Sequence, residues 1–93
     1  MTLLSEDEIR LKLDELIGWF YSETQIVKDF KLKDFKEAMV FVNKVADIAE
    51  LLNHHPDILL YGWNKVKISI STHSEGGITR RDFELAEKIE SLI

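Results

Sequence analysis

Between Asp34 and Pro56 the apolar side chains return at steps of three and four: Phe35, Ala38, Met39, Val42, Val45, Ala46, Ala49 and Leu52. That period belongs to one long amphipathic helix, whose single apolar stripe must be buried against a second layer. Asp34 with Glu37 three residues on is a capping box that starts the helix. Pro56 disfavours helical backbone at His55, which sets the end at or near Asn53.

The second layer is legible on both sides of this helix. From Asn64 to Thr72 the chain alternates, with Val66, Ile68, Ile70 and Thr72 facing one way and Lys65, Lys67, Ser69 and Ser71 the other. This is a half-buried strand. Ile58-Leu59-Leu60-Tyr61 reads as its partner, turning at Gly62. Upstream, Trp19 to Thr24 and Ile26 to Leu32 are rich in aromatic and β-branched residues and predict another hairpin, with its turn in Ser22-Glu23-Thr24-Gln25. Ser5 with Glu8 opens a first helix through Ile9, Leu13 and Leu16, stopping near Gly18. Thr79 with Asp82 opens a last one through Phe83, Ala86, Ile89 and Ile93. The expected order is α-β-β-α-β-β-α. It makes an α+β fold, a four-stranded antiparallel sheet with helices packed on one face, in a single domain over residues 1–93.

A chain of 93 residues has a modest core, so association between copies is an expected source of stability. The absence of cysteine excludes disulfides, a thiolate nucleophile and a cysteine-based zinc site. Net charge is 12 − 17 = −5, and the basic residues are scattered singly or as Arg80-Arg81. Direct contact with nucleic acid, which rests on a basic patch, is not expected. Nor is a membrane partner, since no apolar run approaches the ~20 residues of a spanning helix. The acidic opening Ser5-Glu6-Asp7-Glu8 differs from the basic start of a signal peptide. The expected location is the cytoplasm.

Chemistry concentrates in His54-His55-Pro56 and His73, which hold all three histidines, flanked by Glu50 and Asp82. Histidine titrates closest to neutrality, so such a cluster points to proton transfer. Glu50 and His54, four apart, can meet at the helix end; a histidine placed there by the helix dipole alone is the plainer alternative. Pro56 holds His55 extended, aiming its ring away from that of His54. Adjacent histidines make poor metal spacing. No metal is expected, and a three-histidine metal site stands as the alternative. His73 shares parity with Lys65, Lys67, Ser69 and Ser71, and so projects from the polar face if the strand stays regular. Gly76-Gly77 would let the backbone approach a ligand closely, and the helix from Thr79 points its positive end there. Asp82 is accounted for by the capping box, with a second role in the site left open.

With this spacing the chain resembles the pterin-4a-carbinolamine dehydratase family. The motif reads Glu50, three spacers, His54-His55-Pro56, then Trp63, His73 and Asp82. Asn64-Lys65-Val66, Ser71-Thr72-His73, Gly77-Ile78-Thr79 and Asp82-Phe83-Glu84-Leu85-Ala86 also fit. Upstream, Gly18-Trp19 and Phe30-Lys31-Leu32-Lys33-Asp34-Phe35 carry the likeness over nearly the whole chain. One departure concerns the hairpin: six residues separate Pro56 from Trp63, one more than in many relatives, and Trp63 replaces a tyrosine. That predicts a bulge or longer turn and bears on the pocket wall.

The resemblance implies dehydration of a 4a-hydroxytetrahydropterin to a quinonoid dihydropterin, recycling the cofactor of aromatic amino-acid hydroxylases, with no cofactor or metal needed. It implies acid and base roles for His54 and His73, in either assignment, and pterin binding by His55. Glu50 would tune His54, with Asp82 a further orienting residue. Asn53, Pro56, Trp19 and the backbone at Ser71, Thr72 and Ser74 are the implied substrate contacts, Trp19 the weakest of them because it reads first as a buried core residue. The family implies a homodimer or homotetramer, which sedimentation equilibrium would distinguish. The alternatives are a non-enzymatic pterin-binding or protein-dimerisation module, resembling transcriptional coactivators, and a metal-dependent hydrolase.

Overall fold

A computed structural model describes residues 2–93, leaving Met1 outside the described residues. The elements follow the expected order: α1 (Glu6–Leu13), β1 (Phe20–Ser22), β2 (Gln25–Lys31), α2 (Phe35–Leu52), β3 (Asp57–Tyr61), β4 (Lys65–Ile70) and α3 (Arg80–Glu90). The four strands form one antiparallel sheet in the order β1-β2-β4-β3. The fold is α+β.

Alternation decides which sheet face is covered. Ile26 and Phe30 of β2 and Val66, Ile68 and Ile70 of β4 are buried, and they join Ala38, Phe41 and Val45 of α2 and Phe83, Leu85, Ala86 and Ile89 of α3 in one core. Within α2 the buried stripe is Ala38, Phe41, Val45 and Ala49. Phe35 and Met39, assigned to that stripe from their spacing, are exposed instead. The helix is rotated so that Phe41, a larger apolar group, fills the core and packs against Phe30 at 4.8 Å between ring centroids. On the other sheet face Tyr61 donates to Asp29 across the strands at 2.8 Å, and this bond holds the phenol above the ordinary tyrosine pKa.

The α1 capping box forms as its sequence predicts. The Ser5 amide donates to the Glu8 carboxylate and the Glu8 amide to the Ser5 hydroxyl. The Ser5 amide bond first, and then the Ser5 hydroxyl beside the carboxylate, hold the Glu8 carboxyl below its usual pKa. A carboxyl depressed in the folded state stabilises it above the unfolded pKa, and that contribution is lost as pH falls through the folded value. Ser5→Ala should therefore lower Tm near neutrality and narrow its gap to wild type as the medium is acidified past the carboxylate range. Thermal melts across that range would show the convergence.

The hairpin between β3 and β4 turns through Gly62, Trp63 and Asn64, the first two at φ 53° and 59°. The pairing on either side is regular, from Asp57 opposite Ser69 to Tyr61 opposite Lys65, with no bulge between them. Five residues of β3 at ~3.3 Å each place this turn roughly 17 Å from Pro56. Trp63 therefore lies at the far end of the hairpin from the histidines. The opposite end, where β3 begins and β4 stops, brings His54-His55-Pro56 beside Ser71 and Thr72.

Candidate active site

Helix α2 ends by backbone chemistry of its own. Asn53 is left-handed at φ 51°, its amide donating to the Glu50 carbonyl and the His54 amide to that of Ala49. These are the two bonds of a Schellman motif, and asparagine is among the few residues that accept that backbone readily. The reversal at Asn53, rather than Pro56, stops the helix. It turns His54 inward, to 8% exposure, and leaves His55 at the surface.

Inside, His54 Nε2 lies 2.6 Å from Asp82 Oδ1. Asp82 has no exposed surface, and its Oδ2 accepts from the Thr72 hydroxyl and the Thr79 amide, each at 2.8 Å. The two threonine hydroxyls are 2.7 Å apart. Asp82 thus closes the α3 capping box with one oxygen and holds an imidazole from another part of the chain with the other. Because a carboxylate oxygen accepts, Nε2 of His54 carries a proton, and in the neutral imidazole it is then Nδ1 that holds the lone pair. Among the described residues Nδ1 has no hydrogen-bond partner.

Glu50 does not meet His54, as the four-residue spacing predicts; it bonds Nε2 of His55, and both side chains are exposed. The cause is Asn53: the left-handed residue takes His54 off the helix face and swings His55 back toward Glu50. His73 also departs from expectation. β4 stops at Ile70, Ser71 and Thr72 are buried, and the Thr72 amide donates to the Gly77 carbonyl. His73 therefore opens a 3-10 turn, His73–Glu75, instead of continuing the polar face, and it is exposed together with Ser74. A Cβ on Gly77 would stand 3.1 Å from the Leu3 side chain, so its close approach serves packing.

Among the remaining candidates, Asn53 is exposed and Pro56 half-buried beside His55. Trp19 lies in the core, 4% exposed, with its ring edge toward Phe30 at 6.1 Å and no partner for its indole nitrogen among the described residues. No group of three or more potential ligands among the described residues could hold a metal ion.

Two residues went unassigned from sequence. Thr79, visible there only as a cap, bonds into the Asp82 network. Arg81 donates through its guanidinium to the carbonyls of Leu52 and Asn53, satisfying α2 carbonyls left without helical partners. A cation in the first turn of α3 opposes the helix dipole, and that misfit was the signal that it serves an acceptor elsewhere. Arg81 also borders a cleft of about 480 Å³, walled by Leu3, Leu4 and Glu84 and touched by none of the histidines.

The model of the family described as pterin 4 alpha carbinolamine dehydratase matches residues 2–92. The chain belongs to that family. It is 47% identical over 89 residues to a Sulfolobus acidocaldarius protein named "Putative pterin-4-alpha-carbinolamine dehydratase", covering 96% of this chain and 97% of the relative. A Sulfurisphaera tokodaii protein of the same name is 48% identical, with 100% and 99% covered. Among solved structures, a transcriptional coactivator/pterin dehydratase from Brucella melitensis superposes with a TM-score of 0.93 at 35% identity, over 98% of each chain. For this pterin dehydratase family member, the His54–Asp82 network is the part of the motif that the fold buries. No helix among its described residues is long and apolar enough to cross a membrane.

Proposed function

We propose that this chain dehydrates a 4a-hydroxytetrahydropterin to the quinonoid dihydropterin, within tetrahydropterin recycling. In that step the carbon–oxygen bond of the carbinolamine breaks, its hydroxyl leaving as water with one added proton. A ring nitrogen gives up a proton, and a carbon–nitrogen double bond forms. Only protons are transferred, and histidines suit both transfers near neutral pH.

The observation that carries the reading is His54 held through Nε2 by buried Asp82, with Nδ1 unpaired among the described residues. An imidazole so held accepts a proton at Nδ1, and the neighbouring carboxylate stabilises the imidazolium that forms. His54 is accordingly the base and His73, exposed after the strand end, the acid. His55, braced by Glu50, orients the pterin. Asn53, Pro56 and the backbone from Ser71 to Ser74 border the same sheet end and supply its remaining contacts.

The test is the initial rate of dehydration, followed by ultraviolet absorbance with chelator present. His73→Ala should lower turnover at least about 100-fold while leaving the fold intact, because the side chain is exposed. Unchanged turnover would remove His73 from the mechanism. No acceleration by folded wild type across several pterin side chains would remove the reaction itself.

A second reading, a non-enzymatic pterin-binding or dimerisation module, draws on the similar Brucella protein being named a transcriptional coactivator as well as a pterin dehydratase and on Phe35, Met39 and Val40 exposed along α2. Histidine variants that leave every binding phenotype intact, in protein without turnover, would favour it.

A further inference from the structure

The hydrogens of the buried network can be ordered from its partners alone. Asp82 Oδ2 only accepts, so the single Thr72 hydroxyl proton points to it at 2.8 Å. The 2.7 Å contact between the two hydroxyls then requires Thr79 to donate to Thr72. Thr79 Oγ1 in turn accepts from the Arg81 amide at 3.3 Å. Every hydrogen therefore runs one way: from Arg81 N–H through Thr79 and Thr72 to one oxygen of Asp82. The other oxygen of Asp82 receives His54. Thr72 and Thr79, at 3% and 0% exposure, have no solvent to replace a missing partner.

Thr72 immediately precedes His73. Its amide is tied to Gly77, its carbonyl accepts from Glu75 and Gly76, and its hydroxyl is fixed on Asp82. The two oxygens of one carboxylate thus set both histidines, His54 directly and His73 through Thr72. We infer that the Thr72 hydroxyl, oriented by that of Thr79, is a positioning group that fixes His54 and His73 relative to each other through Asp82. As a statement about catalysis this rests on the dehydratase reading; as a statement about His54 geometry it does not.

The experiment compares Thr72→Val, Thr72→Ser and Thr79→Val by two readouts. One is the dehydration rate. The other is the nitrogen-15 and proton NMR signature of the His54 Nε2–H held on Asp82, which needs no substrate. Thr72→Val should shift or broaden that resonance and lower kcat about 100-fold, the scale of a displacement near 1 Å, with KM little changed. Thr72→Ser should retain both, and Thr79→Val should show a smaller change in the same sense. A folded Thr72→Val with wild-type resonance and rate would overturn the inference. So would Thr72→Ser as impaired as Thr72→Val, since the hydroxyl would then not be the operative group. If Thr72→Val does not fold, Thr79→Val carries the comparison, and an unmoved resonance there counts against the inference. Wild type without dehydration but with the resonance lost in Thr72→Val would sink the dehydratase reading and leave the positioning of His54 standing.

Discussion

Asp82→Asn should fold and yet lose dehydration activity by about 10²–10⁴-fold, the full worth of a positioned acid or base. The Thr79 amide can only donate, and it lies 2.8 Å from Asp82 Oδ2, so the amide oxygen of Asn must take that place. Its NH₂ then faces His54 Nε2, now a donor opposite a donor. The imidazole resolves the conflict by carrying its proton on Nδ1, and the nitrogen offered to substrate becomes the wrong one. The same change in the serine-protease triad acts through the same tautomer inversion. Activity assays beside circular dichroism would check it, and a folded Asp82→Asn protein with near wild-type turnover would refute the tautomer argument. Loss of the carboxylate charge alone does not predict the accompanying move of the His54 proton, which nitrogen-15 shifts would record.

His54→Ala is the second large effect, and it differs in kind from His73→Ala. Removing His54 empties a site 8% exposed and leaves Asp82 Oδ1 buried without a donor. An orphaned buried acceptor costs about 1–3 kcal/mol, more when charged. Urea denaturation should accordingly show His54→Ala less stable by roughly 3 kcal/mol, alongside turnover reduced by a factor comparable to that of Asp82→Asn. His73→Ala should leave the denaturation midpoint where it was. Equal midpoints for the two alanine variants would mean that the His54–Asp82 bond contributes nothing to folding.

The elements were legible because their causes are local. Caps at Ser5, Asp34 and Thr79 and the alternation from Val66 to Ile70 need only neighbours in sequence, and each helix starts where its cap placed it, while the ends fall short of the reading: Leu13 rather than near Gly18, Ile70 rather than Thr72, and Glu90 rather than Ile93. The rotation of α2 was not legible, since Phe41 and Met39 are equally apolar and only the facing sheet decides between them. Within the site, the family motif named the residues but not their pairing. Glu50 was expected on His54 because four-residue spacing assumes a continuous helix, and the left-handed turn at Asn53 breaks that assumption one residue earlier. Asp82 was legible as a cap and, through the family likeness, as an orienting residue, but its pairing with His54 was not, because the contact joins residues 28 apart in sequence. Arg81 offered a faint signal, a positive charge where a helix prefers a negative one.

The double duty of Asp82 also bears on how this molecule would wear out. The carboxylate that starts α3 is the one that holds His54, so the proposed catalytic arrangement has no failure mode independent of that cap. Heat or denaturant that frays the start of α3 disarms the histidine in the same event, and re-forming the helix re-arms it. On the proposed reading, activity would thus be lost whenever the first turn of α3 opens, even while the rest of the chain keeps its ellipticity.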